Sequence, residues 1–208
     1  MARPRKERTR APHPSTYIFC EGTKTEPNYF NDLICSLNFP GELATVKVIH
    51  TDKTNLVGLV NVAKEFKDNN KYALDSDQYW IVVDKDGYPK HKEGFSFAKE
   101  NSFKIAFSSI CFEYWLLCHY TFSKVPYQNY REIIRAALKK YIPEYEKGND
   151  GIFALTSAQL QTAYQNAKAS RDRWKRKQSD KEIYELNPYT NVDELIKHIV
   201  SFKKSLIK

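Results

Sequence analysis

The sequence predicts an α/β protein with a mainly parallel four-stranded sheet, helices on both faces of the sheet and a C-terminal helical extension. Short runs of β-branched and aromatic residues alternate with stretches of helical periodicity through residues 16–107. One of these runs, residues 79–83, is apolar without interruption, which is typical of a strand buried on both faces. Strands that alternate with helices in this way favour right-handed crossovers and a parallel sheet.

The strands and helices of the first half follow from local signals. Strands are predicted at residues 16–20, 43–50, 79–83 and 103–107, where β-branched and aromatic residues cluster. A helix is predicted from about residue 25 to residue 38, because Gly22 permits a turn before it and its apolar residues recur at helical spacing. A second helix is predicted at residues 55–69, and a further helical segment near residues 95–101.

The second half of the sequence is predicted to be mostly helical. Ser108 and Ser109 precede a dense apolar segment, so a buried helix is expected to start near Ile110 under a serine cap. Within that helix, His119 is expected to be a hydrogen-bonded core residue. Later helices are predicted at residues 125–141, 157–177 and 195–206. The chain is therefore divided into a basic tail (1–14), an α/β core (15–122) and a helical extension packed on the core (123–208).

The amino-acid composition limits which functions the chain can have. The 208 residues are 41% hydrophobic, enough for a sizeable core, and they include 33 Lys and Arg against 25 Asp and Glu. The net charge of +8 favours an anionic partner such as nucleic acid. No apolar run is long enough for a membrane span or a signal peptide, so a cytoplasmic location is expected. The four cysteines lack Cys-x-x-Cys spacing and the five histidines lack zinc-ligand spacing, so neither set indicates a metal site.

Two aspartates follow the apolar strand directly. Asp84 and Asp86 fall at the carboxyl end of that strand, where open α/β sheets place their sites. Residues two apart in extended chain project to the same side, while Lys85 points away. Two neighbouring carboxylates need a cation or a proton, and oxygen ligands suit magnesium. The alternative is a polar turn after a buried strand, because Asp-Gly pairs commonly form turns.

Two further acids accompany them. Glu21 ends the first predicted strand and is followed by Gly22. Glu113 is surrounded by aromatic residues in the first turn of the predicted buried helix. Its charge could interact favourably with the helix dipole, which contributes about 0.3–1 kcal/mol. It could instead lean toward the acids at the strand ends, because a buried charge is costly without a partner.

Basic residues are concentrated in two places. The tail holds five Arg and Lys residues within residues 1–14, which either contact phosphate or remain solvated. The end of helix 157–177 carries Arg171 and Lys175 around Trp174, an arrangement that can hold phosphates while an aromatic ring stacks on a base. The alternative for that helix end is a solvated charged terminus favoured by the helix dipole.

Four motifs together resemble one known family. They read IFCEGTKTEPNYF (18–30), DKD (84–86), FEYWLLCH (112–119) and NPYTNV (187–192). A strand ending in Glu-Gly and a later strand ending in Asp-x-Asp resemble the Toprim fold, a Rossmann-like fold. The full set resembles the RloB-like family, which is associated with bacterial anti-phage defence and abortive infection. The resemblance runs from about residue 15 to the final helix.

The resemblance implies a Toprim-type, metal-dependent nuclease that acts on DNA or RNA beside a partner ATPase (RloA-like). Glu21, Asp84 and Asp86 would hold one or two magnesium or manganese ions, which stabilise charge on a scissile phosphate and activate water. Glu113 would be a fourth catalytic acid that binds a second metal or orients water.

Lys24 and Lys85 would then lie near phosphate. Two other function classes stay open at the level of sequence. One is a non-catalytic nucleic-acid binder or regulatory subunit whose acids hold a structural ion. The other is a structural adaptor that docks on the ATPase through its C-terminal helices.

Overall fold

The computed structural model describes residues 13–39, 45–85 and 89–206, and within them it contains a five-stranded sheet. The strands are β1 (Thr16–Glu21), β2 (Val46–Thr51), β3 (Gln78–Asp84), β4 (Lys104–Ser109) and β5 (Tyr189–Thr190). Their order is β2-β1-β3-β4-β5, and all pairs are parallel except β4 with β5. The prediction of an α/β protein with a mainly parallel sheet is confirmed.

The predicted number of strands was wrong, because β5 adds an antiparallel edge. β5 is only two residues long, so it carries none of the alternation from which a strand is predicted. The side chain of Asn191 extends the pairing: its Oδ1 accepts the Phe107 N–H at 2.7 Å, and its Nδ2 donates to the Ile105 carbonyl at 2.9 Å. The edge of β4 is thus covered by a short strand and one amide side chain.

The helices connect and cover the strands. They are α1 (Thr25–Leu37), α2 (Leu56–Asn69), α3 (His91–Glu100), α4 (Glu113–Cys118), α5 (Ile152–Thr156), α6 (Leu160–Lys177) and α7 (Val192–Ser205). A π-helical segment, Glu132–Ala137, and a 3₁₀ turn, Leu138–Lys140, stand where one helix over residues 125–141 was predicted. The long helix predicted from residue 157 starts at Leu160, after the separate α5.

The start of the buried helix was also predicted wrongly. α4 begins at Glu113, with Phe112 at its N-cap and no side-chain cap, rather than near Ile110 under a serine. Both serines belong to β4 instead, where Ser108 pairs with Thr190 and Ser109 with Tyr189. Tertiary pairing of the sheet therefore overrides the local preference of serine for a helix cap.

Each face of the sheet carries its own apolar core. Ile18, Trp80 and Val82 pack into one core with α1, α4 and α7. Phe19 and Ile81, from alternate positions of the same strands, pack into the other core with α2. Burial on both faces explains why the 79–83 run is apolar without alternation.

Gly94 lets α3 approach α2 closely. A Cβ at this position would lie 2.6 Å from Leu56 Cγ, well inside van der Waals contact. No helix of the described residues is long and apolar enough to cross a membrane. The four cysteines are free thiols. Residues 1–12 of the predicted basic tail lie outside the described residues.

Candidate acidic site at the carboxyl edge of the sheet

Acidic side chains lie where neighbouring parallel strands end. Glu21 is the last residue of β1, Asp84 is the last residue of β3, and Glu113 opens α4 shortly after β4. β3 lies between β1 and β4 in the sheet, so the three acids reach the same edge. Gly22, at φ 74°, has the left-handed backbone that lets the chain turn away immediately after Glu21. Asp86, the fourth predicted acid, lies outside the described residues.

Glu26 joins these acids from α1, and sequence reasoning missed it. The sequence places this residue only within the helix predicted from about residue 25 to residue 38. In the structure the residue is 8% exposed, and its pKa is raised to about 7. Burial is the main cause, and the like charges of Glu113 and Glu21 add to it, while Lys147 opposes it. The sequence did contain a signal for Glu26: it is an acid in the first turn of the helix that directly follows the strand end at Glu21.

Asp84 is a buried acid whose charge is disfavoured by its surroundings. Its pKa is raised well above the usual range by burial and then by the charges of Glu26 and Glu113. Lys147 and a hydrogen bond from the backbone N–H of Phe112 offset part of that shift. Asp84 Oδ1 is buried and accepts no hydrogen bond from the described residues. The fold therefore holds a carboxylate where its charge is not fully compensated.

Glu113 satisfies both interpretations of its sequence position. It lies in the first turn of α4, and it raises the pKa of Asp84 and of Glu26. The residue is fully buried, and the Tyr145 hydroxyl donates a hydrogen bond to its Oε1 at 3.0 Å. Its Oε2 accepts no hydrogen bond from the described residues. Tyr145 comes from the helical extension, so that part of the chain contributes directly to the site.

Lys147 supplies positive charge to the same place, and it was not identified from the sequence. Burial lowers the pKa of this lysine, but Glu113, Asp84 and Glu26 outweigh that effect, and its pKa is raised. A cavity of about 340 Å³, hereafter the acidic cavity, is lined by Lys24, Lys147 and the acids Glu21, Glu26 and Asp84.

The loop that carries Lys147 is fixed to the start of α1. Asn28 Nδ2 donates to Asp150 Oδ1 at 2.6 Å and lies 3.4 Å from the Gly148 carbonyl oxygen. A Cβ on Gly148 would lie 3.0 Å from Lys24 Cδ, so the loop and the Lys24 stem pack closely. These contacts set where Lys147 stands relative to the acids.

The donor chemistry of this edge fits a hard divalent cation. Carboxylate oxygens are the ligands that magnesium prefers, and buried oxygens of Asp84 and Glu113 have no hydrogen-bond donor among the described residues. The described residues alone do not contain a group of three or more His, Cys, Asp or Glu side chains placed to hold a metal ion. Asp86 of the predicted ligand set falls in the gap at residues 86–88.

The predicted phosphate-binding lysines of the core lie in different places. Lys24 occupies the N-cap position of α1 and lines the acidic cavity. Lys85 directs its Nζ toward the backbone carbonyl of Glu185, 3.5 Å away. Burial, followed by the charge of Lys181, lowers the pKa of Lys85. Of these two, Lys24 is therefore the one beside the acids.

Arg171 and Lys175 also differ in their surroundings. The Arg171 guanidinium forms a two-pronged ion pair with Asp193 and donates to the Thr190 carbonyl at 2.7 Å. It thereby ties α6 to β5 and α7, and because it is buried it offers little surface to a phosphate. Lys175 is exposed in the last turn of α6 and stays a predicted nucleic-acid contact. Arg171 is not retained as one.

Comparison with known proteins gives one match. The model of a family described as RloB-like protein matches residues 16–199, a range that contains all five strands and the described acids of the site. Searches of curated proteins and of solved structures found no match.

Proposed function

The chain belongs to the RloB-like family, and we propose that it is a metal-dependent nuclease that hydrolyses phosphodiester bonds of DNA or RNA. In this proposal it is the Toprim-type component of a cytoplasmic bacterial anti-phage defence system and acts with a partner ATPase. The observation that carries the proposal is the convergence of Glu21, Glu26 and Asp84 with two lysines at one cavity, where the charge of the buried Glu113 also acts on Asp84 and Lys147. Such an arrangement suits the handling of a phosphate and its counter-ions.

The proposed ligands of magnesium or manganese are Glu21, Asp84 and Asp86. A bound ion would stabilise charge on the scissile phosphate and lower the pKa of an attacking water. Asp84 is oriented for this role by its place at the end of β3 and by the Phe112 N–H. The burial of Asp84 also keeps bulk water from competing for its oxygens.

The other residues of the site position and balance charge. Tyr145 holds Glu113 through its hydroxyl, and Glu113 Oε2, which has no hydrogen-bond donor among the described residues, is the proposed acceptor for a water proton. Lys24 and Lys147 line the acidic cavity, where their ammonium groups can contact non-bridging phosphate oxygens. Each residue therefore has a role that its neighbours in the structure support.

The test is cleavage by the full chain. Labelled single- and double-stranded DNA and RNA are incubated with the chain and magnesium or manganese, with and without its ATPase. Asp84→Asn and Glu21→Gln are expected to reduce the rate by at least about 10²-fold, as expected when a residue that stabilises transition-state charge is removed. Asp68→Asn is the matched control, because Asp68 pairs with Lys64 on the exposed face of α2. Cleavage at the same rate by Asp84→Asn and by the unsubstituted chain would refute the assignment.

A second candidate is a non-catalytic nucleic-acid-binding or regulatory subunit of the same system. It is favoured by the exposed basic residues in the last turn of α6, which are Lys175, Arg176 and Lys177. This candidate predicts salt-sensitive binding of nucleic acid that Glu21→Gln leaves unchanged. It also predicts no cleavage with either metal in the presence of the ATPase, which separates it from the nuclease.

A further inference from the structure

A second cavity of about 340 Å³ borders the acidic one. It lies between the π-helical segment, the 3₁₀ turn and the loop that carries Lys147, and we name it the basic cavity. Its described lining includes the cations Arg131, Arg135, Lys139 and Lys147, against the single carboxylate Glu146. Lys147 lines both cavities, so the two lie next to each other at this residue.

The cations of the basic cavity are available to a ligand. Arg131 and Arg135 are exposed, and Lys139 is partly exposed. Among the described residues, none of the three forms an ion pair with a carboxylate. By contrast, Arg171 already has its charge balanced by Asp193. Guanidinium groups match phosphate oxygens in a two-pronged geometry, so an unpaired arginine pair on a concave surface favours a polyanion.

An exposed aromatic ring lies among these charges. Tyr130 is 43% exposed, and both the Arg131 guanidinium carbon and Lys147 Nζ lie 5.8 Å from its ring centroid. A ring flanked by cations is the arrangement on which bases stack while their phosphates are neutralised. Stacking of this kind requires a base that is free of its duplex neighbours, which favours a single strand.

The backbone of this region is also unusual. The segment Glu132–Ala137 is π-helical, and π-helical turns are rare and frequently occur at functional sites. The segment carries Arg135 and follows Arg131 directly, so its geometry decides where both guanidinium groups stand. Ile133 anchors it in the core and fixes that geometry.

We propose that the basic cavity binds a single strand of nucleic acid, with Tyr130 stacked on a base and Arg131 and Arg135 on its phosphates. The strand continues past Lys147 into the acidic cavity. The role of the acidic cavity in this inference rests on the proposed function. Binding in the basic cavity does not, because it requires neither metal nor cleavage.

The experiment measures binding by the full chain in EDTA, so that no metal-dependent cleavage occurs. The probes are fluorescein-labelled single-stranded DNA and RNA 20-mers of one sequence and the corresponding DNA duplex, titrated at several salt concentrations. The variants are Arg131→Ala/Arg135→Ala, Tyr130→Ala, and the conservative pair Arg131→Lys/Arg135→Lys. The charge-matched control is Lys64→Ala/Lys71→Ala, which removes two exposed lysines in and just after α2.

The double arginine variant is expected to flatten the dependence of log affinity on log salt by about 1.4, because each phosphate contact on a single strand contributes about 0.7. Tyr130→Ala is expected to weaken single-strand binding about tenfold. The Arg→Lys pair should retain the salt dependence, and the Lys64→Ala/Lys71→Ala control should bind as the unsubstituted chain does. Equal loss in the control, unchanged binding by the double arginine variant, or equally tight binding of duplex would overturn the proposal.

Failure of this inference can be told apart from failure of the proposed function. A chain that binds single strands through Tyr130 and the arginines, and cuts nothing with either metal, keeps the basic cavity and loses the nuclease. A chain that cuts with magnesium at a rate unaffected by the arginine substitutions keeps the nuclease and loses the basic cavity.

Discussion

Substitution of Arg171 by alanine tests whether the buried ion pair holds the helical extension to the sheet. Arg171 contacts both carboxylate oxygens of Asp193, and it also donates to the carbonyl of Thr190 in β5. Asp193 is fully buried. Removal of the guanidinium therefore leaves a buried carboxylate with Lys197, at 2.8 Å, as its remaining cation, and it leaves the Thr190 carbonyl without that donor.

The expected cost follows from this geometry. Breaking a buried ion pair by removing one partner destabilises a protein by about 3–5 kcal/mol. Since Lys197 still compensates part of the Asp193 charge, a loss of free energy of unfolding near the lower end, about 3 kcal/mol, is expected. The exposed pair of Lys168 with Asp172 on the same helix is the control, and Lys168→Ala should cost less than about 1 kcal/mol.

The assay is urea unfolding followed by circular dichroism and by tryptophan fluorescence, since Trp174 lies on α6 close to the pair. With a slope of about 1–3 kcal/mol per molar urea, Arg171→Ala should lower the midpoint by about 1 M or more. Adding Asp193→Asn to Arg171→Ala should recover part of the loss, because it removes the charge that was left unpaired. A loss for Arg171→Ala no larger than that for Lys168→Ala would refute the reasoning.

Three further outcomes are expected. Tyr145→Phe should cost about 1–3 kcal/mol in urea unfolding and slow any cleavage, because Glu113 Oε1 loses its donor while the ring is kept; unchanged stability and rate would contradict this. Burial lowers the pKa of His119 to about 4, so the free energy of unfolding should fall by about 3 kcal/mol as the pH drops from 6.5 toward 4. His119→Gln should reduce this fall in a series of urea midpoints measured at different pH values. Asp84→Asn should stabilise the metal-free chain at neutral pH, because the raised pKa of Asp84 means that its charged form opposes folding there. The gain in thermal midpoint should vanish at a pH below the ordinary aspartate range, where the carboxyl group is protonated in the folded and unfolded chain alike. A gain that does not depend on pH would count against this cause.

The first four strands and the described acids that follow them could be predicted because both depend on local sequence. A run such as 79–83 is apolar because it is covered on both faces, and a charge that follows it directly must lie at the edge of the sheet. Glu21 and Asp84 were therefore identifiable without knowledge of the tertiary structure. The same reasoning predicted that the sheet is mainly parallel, since the connecting helices have the length of crossovers.

What was missed depends on contacts between distant parts of the chain. Lys147 lies in a polar loop whose composition resembles any surface turn. The neighbouring Gly148 and Asp150 fix that loop against Lys24 and Asn28, and these contacts are not visible in the sequence. β5 was missed because two residues have no periodicity, and its pairing with β4 is fixed partly by the side chain of Asn191. Arg171 was interpreted as a surface cation because sequence does not reveal that Asp193 folds back onto it.

These contacts also decide what the smallest functional unit is. Glu113 belongs to residues 15–122, yet the donor that holds its Oε1 is Tyr145, from residues 123–208. Lys147 comes from the same extension, and so does β5, which covers the edge of β4. A chain ending near residue 122 would leave the Glu113 carboxylate without its Tyr145 donor and the β4 edge unpaired. The helical extension is thus part of the candidate site, because its residues Tyr145 and Lys147 compensate the negative charge of the acids at the strand ends.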